Sequence, residues 1–125
     1  MKTTALIFTF FAVLLAFPTP SEASVDVNPR IYDFGYVQAN SSRMVTVVFS
    51  NRGSDVIRDF RTYCSGDLSV YQCFSSCFQL QPWGSCTVQV RFSPRFGDRQ
   101  RHSLTVHGQG SGNYVSSLIY GIDTL

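Results

Sequence analysis

Residues 86–92 (CTVQVRF) alternate Cys86, Val88, Val90 and Phe92 with Thr87, Gln89 and Arg91, and a period of two over seven residues specifies a half-buried β-strand. The same period recurs upstream, where Val45, Val47 and Phe49 alternate with Thr46, Val48 and Ser50. Downstream, residues 103–107 carry Leu104 and Val106 on one face, and residues 114–120 (YVSSLIY) are rich in β-favouring side chains and stop at Gly121. Shorter strands are expected over residues 25–27, 31–34, 56–61 and 68–71. Turn-forming residues separate them at 51–54, 65–67, 82–85 and 93–98, and the glycine-rich stretch 108–113 reads as a long hairpin loop. Beyond the first 23 residues no window keeps an apolar stripe at helical spacing.

The beginning of the chain bears on compartment. Lys2 precedes an apolar run over residues 5–17, Pro18 and Pro20 end it, and Ser21-Glu22-Ala23 offers small residues for a peptidase. That layout predicts a secretory signal peptide over residues 1–23 and an exported domain over residues 24–125, periplasmic or secreted. The run is shorter than the roughly 20 residues a spanning helix needs, so no transmembrane segment is expected after cleavage. The remaining 102 residues suit one domain. Seven or eight short strands in that length indicate an all-β fold, an immunoglobulin-like β-sandwich of about seven strands.

Four cysteines, Cys64, Cys73, Cys77 and Cys86, fall in the spacing C-x8-C-x3-C-x8-C. An even count in an exported chain implies disulfides, whereas zinc sites favour closer pairs or a cysteine–histidine mixture. A nested pairing would close a very short 73–77 loop inside a long one. The sequential pairing, Cys64–Cys73 and Cys77–Cys86, closes two similar loops and is the expected one. Without a C-x-x-C motif the bridges are read as structural.

Signal removal takes away Lys2 and Glu22, the only lysine and the only glutamate, leaving nine arginines, seven aspartates and a net charge of +2. That balance gives no reason to expect nucleic acid. It also removes two common general acid–base types. No nucleophile-elbow, zincin, phosphate-loop or dinucleotide motif occurs in a fitting context, so the expectation is a non-enzyme without cofactor or metal. Gly108-Gln109-Gly110 reads as a turn. His102 and His107, five apart on one strand, face opposite sides and read as unrelated surface histidines.

From Ile31 onward, IYDFG, a valine-rich strand ending in Ser-Asn-Arg-Gly, then CFQLQPWGSCTVQVRFSP and SLTVHG resemble the hydin-like, or ASH-type, immunoglobulin-like domains, whose bacterial versions include the choice-of-anchor D group. The resemblance spans roughly residues 25–122, and its most specific part is Leu80-x-Pro82-x-Gly84-x-Cys86 followed by Val88, Val90, Phe92 and Pro94. It implies a seven-stranded sandwich, a pairing of Cys77 with Cys86, and a role as binding or spacer module without catalytic residues. Two positions depart from the family pattern: Trp83 stands between Pro82 and Gly84, and Asp123 stands where a terminal glycine is usual.

Two surface groups are candidates for contact with a partner. Phe74, Phe78 and Trp83 lie between the cysteines, where a stapled loop can present rigid aromatic side chains or cap the open end of the sandwich. Arg91, Arg95, Arg99 and Arg101 read as surrounding one hairpin, suited to an anionic glycan, a lipid head group or an acidic protein, or simply to solubilising a sheet. The resulting expectation is an exported protein-binding or structural module with an unidentified protein partner. The alternative is a secreted effector or inhibitor of a host or competitor enzyme, which would need a rigid exposed loop; the stapled 73–86 segment is its candidate.

Overall fold

The alternation read from the sequence builds two four-stranded sheets that face each other across one core. The computed structural model describes residues 24–125; the predicted signal peptide lies outside the described residues. The strands are β1 (Val25–Asn28), β2 (Ile31–Gln38), β3 (Arg43–Asn51), β4 (Arg61–Gly66), β5 (Tyr71–Ser75), β6 (Ser85–Phe92), β7 (Arg101–Gly110) and β8 (Asn113–Thr124). One sheet has the order β1-β3-β6-β5 and the other β2-β8-β7-β4. All pairings are antiparallel except β2 with β8.

The inward faces carry the predicted alternation: Val47 and Phe49 of β3, Val88, Val90 and Phe92 of β6, Leu104 and Val106 of β7 and Ile119 of β8 are all buried. Tyr71 stacks on Phe92 at 4.8 Å between centroids, and its hydroxyl donates to the His102 carbonyl, which satisfies the one polar atom of a buried ring. Both disulfides have the sequential pairing, Cys64–Cys73 and Cys77–Cys86. The first joins β4 to β5, the edge strands of the two sheets, so it closes one side of the sandwich.

The described residues form eight strands, within the expected seven or eight, and the separately expected segments 25–27 and 31–34 fall in different sheets as β1 and β2. Several local expectations are corrected. Residues 56–60 are not a strand, and only Arg61 of the expected 56–61 segment belongs to one: Ile57 and Phe60 both face the core, a spacing of three that an extended chain cannot deliver to one face. Of residues 68–71, 68–70 form a turn, because the Asp67 carboxylate accepts hydrogen bonds from both the amide and the hydroxyl of Ser69, and pairing begins only at Tyr71.

The stretch 108–113 is not a long loop. Strands β7 and β8 pair as far as Gly110 and Asn113, and only Ser111-Gly112, both at positive φ, make the turn. Gly108 is a strand residue where two rings fill the space of a side chain: a Cβ there would lie 2.6 Å from Phe49 and 2.8 Å from Phe60. Gly108→Ala is therefore expected to destabilise the domain by about 1–3 kcal/mol, the usual penalty of overpacking. Urea denaturation measures it; a midpoint equal to that of the parent protein would show that the rings move aside freely.

Candidate functional site

The segment between β5 and β6 is braced from beneath while its large side chains face solvent. Cys77 is bonded to Cys86 on β6, and the Ser76 amide donates to the Thr87 carbonyl. Leu80, fully buried, exchanges two backbone hydrogen bonds with Ile57, each 2.8 Å. The buried Asn51 is the third brace. Its side-chain NH2 donates to the carbonyls of Asp55 at 2.8 Å and Gln81 at 3.2 Å, while its Oδ1 accepts from the Gly53 amide. Asn51 is the asparagine of the Ser-Asn-Arg-Gly motif, and these bonds give the motif its physical reason: one side chain ties together two loops that have no sheet ladder.

Above these braces the chain turns through Gln81-Pro82-Trp83-Gly84, closed by a hydrogen bond from the Gly84 amide to the Gln81 carbonyl. Proline fixes a negative φ at the second position, and Trp83 at the third has φ 61°, so this is a type II turn. That position favours glycine or asparagine, and a tryptophan there costs about 1–2 kcal/mol of backbone strain. Trp83 is nevertheless 72% exposed, and Phe78 on the same loop is 73% exposed. The two side chains present a large aromatic surface on a loop whose backbone is fixed at both ends.

Asn51→Ala is expected to loosen this loop. It leaves the Asp55 carbonyl and the Gly53 amide without partners and removes one of the two hydrogen bonds to the Gln81 carbonyl, at a cost of about 1–3 kcal/mol. Hydrogen exchange should show faster loss of protection at Leu80 and Gly84 than in the β7–β8 hairpin; uniform loss across the domain would contradict a local brace.

The other predicted contact residues are not gathered at this loop. Phe74 lies on the outer face of β5, with the Arg91 guanidinium 5.7 Å from its ring centroid. The four arginines do not surround a hairpin. Strands β6 and β7 belong to different sheets, so residues 93–100 cross between layers. Arg91 therefore lies on the outer face of one sheet and Arg101, stacked 4.8 Å over Tyr120, on the outer face of the other. Arg95 bonds the Ser69 carbonyl, and Arg99 sits in the crossover at φ 60°.

The histidines do face opposite sides, but neither is without partners. On the outer face His107 stacks on Tyr63 at 4.3 Å and contacts the hydroxyls of Ser65 and Tyr114. The Ser65–His107 contact, 2.8 Å, joins strands whose amides lie in the plane of the ladder. Those amides cannot point at an oxyanion above the sheet, so the pair is a cross-strand polar contact.

His102 turns inward at the end of the sandwich, its side chain 11% exposed, with Nδ1 on Asp67 and Nε2 on Asp98. Burial pushes its pKa down, but the hydrogen bonds to Asp67 and Asp98 outweigh burial and the net shift is upward. Asp67 is held below the usual carboxylate range by the Ser69 hydroxyl first, with His102 adding to it against burial. Asp98 is likewise lowered, chiefly by the Gln100 amide. Sequence pattern could not find this cluster, because Asp67, Asp98 and His102 come together only when two loops close over one end of the core.

No protein-family model matches the chain, and no curated protein matches it in sequence. Among solved structures, the ASH/PapD-like domain 7 of human CEP192 is similar over 98% of this chain and 96% of that one, with a TM-score of 0.60 and 14% identity. The secreted serine protease VesC from Vibrio cholerae is similar over 83% of this chain but only 23% of its own length, with a TM-score of 0.54 and 17% identity. The two sheets, their stapled edges and this near-complete overlay agree with the resemblance read from Leu80 to Pro94: the chain folds as an immunoglobulin-like β-sandwich of the ASH/PapD-like type.

Proposed function

We propose that the chain is an exported, non-catalytic immunoglobulin-like module that docks a protein partner through Phe78 and Trp83 on the Cys77–Cys86 loop. The observation that carries this reading is Trp83, which occupies a strained turn position while contributing little to the core. A strained residue persists where the surrounding structure holds it, and such positions concentrate at functional sites. A braced loop with exposed tryptophan and phenylalanine also has the composition and low ordering cost of an interface anchor. The two disulfides support an oxidising compartment, in keeping with the signal-like first 23 residues. Among the described residues no helix is long and apolar enough to cross a membrane.

The test is affinity capture with the exported protein from its own envelope fraction and growth medium, run beside a Phe78→Ser/Trp83→Gly variant of verified fold. A protein retained by the parent and lost with the variant supports the reading. Equal retention by both refutes the loop as the docking site.

A further inference from the structure

His102 closes one end of the sandwich with both of its ring nitrogens engaged. Nδ1 meets a carboxylate oxygen of Asp67 from the β4–β5 turn, and Nε2 meets Oδ1 of Asp98 from the 93–100 crossover at 3.2 Å. An ionised carboxylate only accepts, and a neutral imidazole carries a single N–H, so both contacts are satisfied together only by the imidazolium. The side chain is 11% exposed and its ring centroid lies 6.3 Å from that of Phe92, which places the two contacts at the boundary between core and solvent.

The surrounding charges favour that proton. Asp123 on β8 brings a third carboxylate oxygen within 4.8 Å of the ring. On β5, Tyr71 donates its hydroxyl to the His102 carbonyl, and burial keeps the phenol un-ionised. The arginines of the adjoining segments are held elsewhere, Arg95 on the Ser69 carbonyl and Arg101 over Tyr120, while Arg99 is exposed. The two contacts of the ring also differ in hold. Asp67 accepts the amide and the hydroxyl of Ser69 as well, and its contact with the ring is the shorter one. Asp98 is exposed and accepts only the Gln100 amide besides. When the ring loses a proton, the remaining N–H therefore stays at Nδ1, and the Nε2 lone pair is left facing a carboxylate.

We propose that His102 is a proton-operated latch: as the imidazolium it holds the Asp98–Gln100 turn of the crossover to the β4–β5 turn, and on giving its proton to water it releases Asp98. Phe96 and Gly97 stay on the Asp123 carboxylate and Ser93 on the Val70 carbonyl, so opening is confined to the Asp98 turn and exposes the Gln100 amide. The direction follows from the charges. Burial pulls the His102 pKa down, but the hydrogen bonds to Asp67 and Asp98 carry it above its ordinary value. The latch is therefore complete below the unfolded-chain value, about 6.5, and is lost as pH rises through the raised folded-state value. On the acid side Asp67 and Asp98 are both lowered, so the latch is present above about 3.9 and fails only as pH falls through their folded-state values. It is independent of the Cys77–Cys86 loop.

The experiment is NMR of the exported protein, following the imidazole resonances of His102 through its titration and the amide-exchange protection factors on either side of it. The expected result is a titration above that of histidine in the unfolded chain. Protection of the Gln100 amide should fall about 10-fold or more as pH rises through it, while the β7–β8 hairpin keeps its protection. Asp98→Asn should abolish that step, because the new amide group can donate to a neutral Nε2 and hold the turn at either pH. His102→Gln, which does not titrate, should abolish it too, whereas His107→Gln, which removes the only other histidine, should leave it in place. Asp98 is exposed, so its variant reads the latch without disturbing the core. Gln100 protection unchanged across the His102 titration overturns the proposal, and so does a step that persists in Asp98→Asn or His102→Gln.

Discussion

Trp83→Gly is expected to leave the domain as stable as the parent protein, or slightly more stable, while weakening partner binding by about 30-fold or more. The two effects separate because this side chain does little for folding. It is 72% exposed, and its backbone holds φ 61°, which glycine adopts without the steric cost of about 1–2 kcal/mol that a tryptophan meets. Against that gain stands the greater chain entropy glycine loses on folding, roughly 0.5–1 kcal/mol, so the net change is between zero and about +1.5 kcal/mol. Binding responds differently, because an anchoring tryptophan typically contributes 2 kcal/mol or more, equivalent to about 30-fold in Kd. Trp83→Ala is the control: it removes the ring but keeps the strained φ, so it should bind as weakly as the glycine variant and be less stable. Thermal unfolding of the three proteins measures the first half. A glycine variant less stable than the alanine variant would mean that φ at this position carries no strain.

Removing Cys77–Cys86 as Cys77→Ser/Cys86→Ala is expected to cost about 3 kcal/mol, the loop-closure value for a ring of this size. For a domain of this length that lowers Tm by roughly 12–24 °C. Removing Cys64–Cys73 should cost a similar amount, because its sequence separation, 9, is the same. Together they amount to about 6 kcal/mol, comparable with the whole stability of many small domains, so full reduction should unfold the chain. The single-bridge variants differ in function. Loss of Cys64–Cys73 opens the edge between the two sheets but leaves the aromatic loop anchored. Loss of Cys77–Cys86 frees the loop and raises the ordering cost of binding, so only that variant should bind weakly below its Tm. Equal binding by both variants would contradict a preorganised loop.

The parts of this structure legible in the sequence are those in which one side chain in two faces the core. Strand β6 is the clearest case, since each of Cys86, Val88, Val90 and Phe92 is apolar and each is buried. The disulfide pairing was legible for a related reason: nine-residue separations close loops around turns that the flanking strands already require. The misreadings occur where local hydrogen bonding or long-range packing overrides the pattern. The Asp67 carboxylate captures Ser69 and converts an apparent strand into a turn. Gly108 and Gly110 look like loop residues until Phe49, Phe60 and Ile57 are seen in the space their side chains would fill.

The candidate sites divide in the same way. Phe78 and Trp83 were legible as an aromatic loop because cysteines flank them, but Asn51, which braces that loop across some 30 residues of sequence, was visible only as part of a motif. The arginine group dissolved because neighbouring strands in sequence lie in different sheets. His102 and its carboxylates could not be paired from one dimension at all. Asp123, which departs from the family pattern, is buried on β8 and accepts the amides of Phe96 and Gly97 from the 93–100 crossover.

Trp83 is the only tryptophan of the chain, so it reports on the docking loop without labelling. The direct measurement is its intrinsic fluorescence during titration with the captured partner, read at an excitation selective for indole and corrected for the partner's own emission. The predicted result is a blue-shifted Trp83 emission with reduced access to acrylamide, saturating at the stoichiometry of the complex. Full binding with Trp83 emission and quenching unchanged would contradict the account, because the partner would then be docking elsewhere on the sandwich.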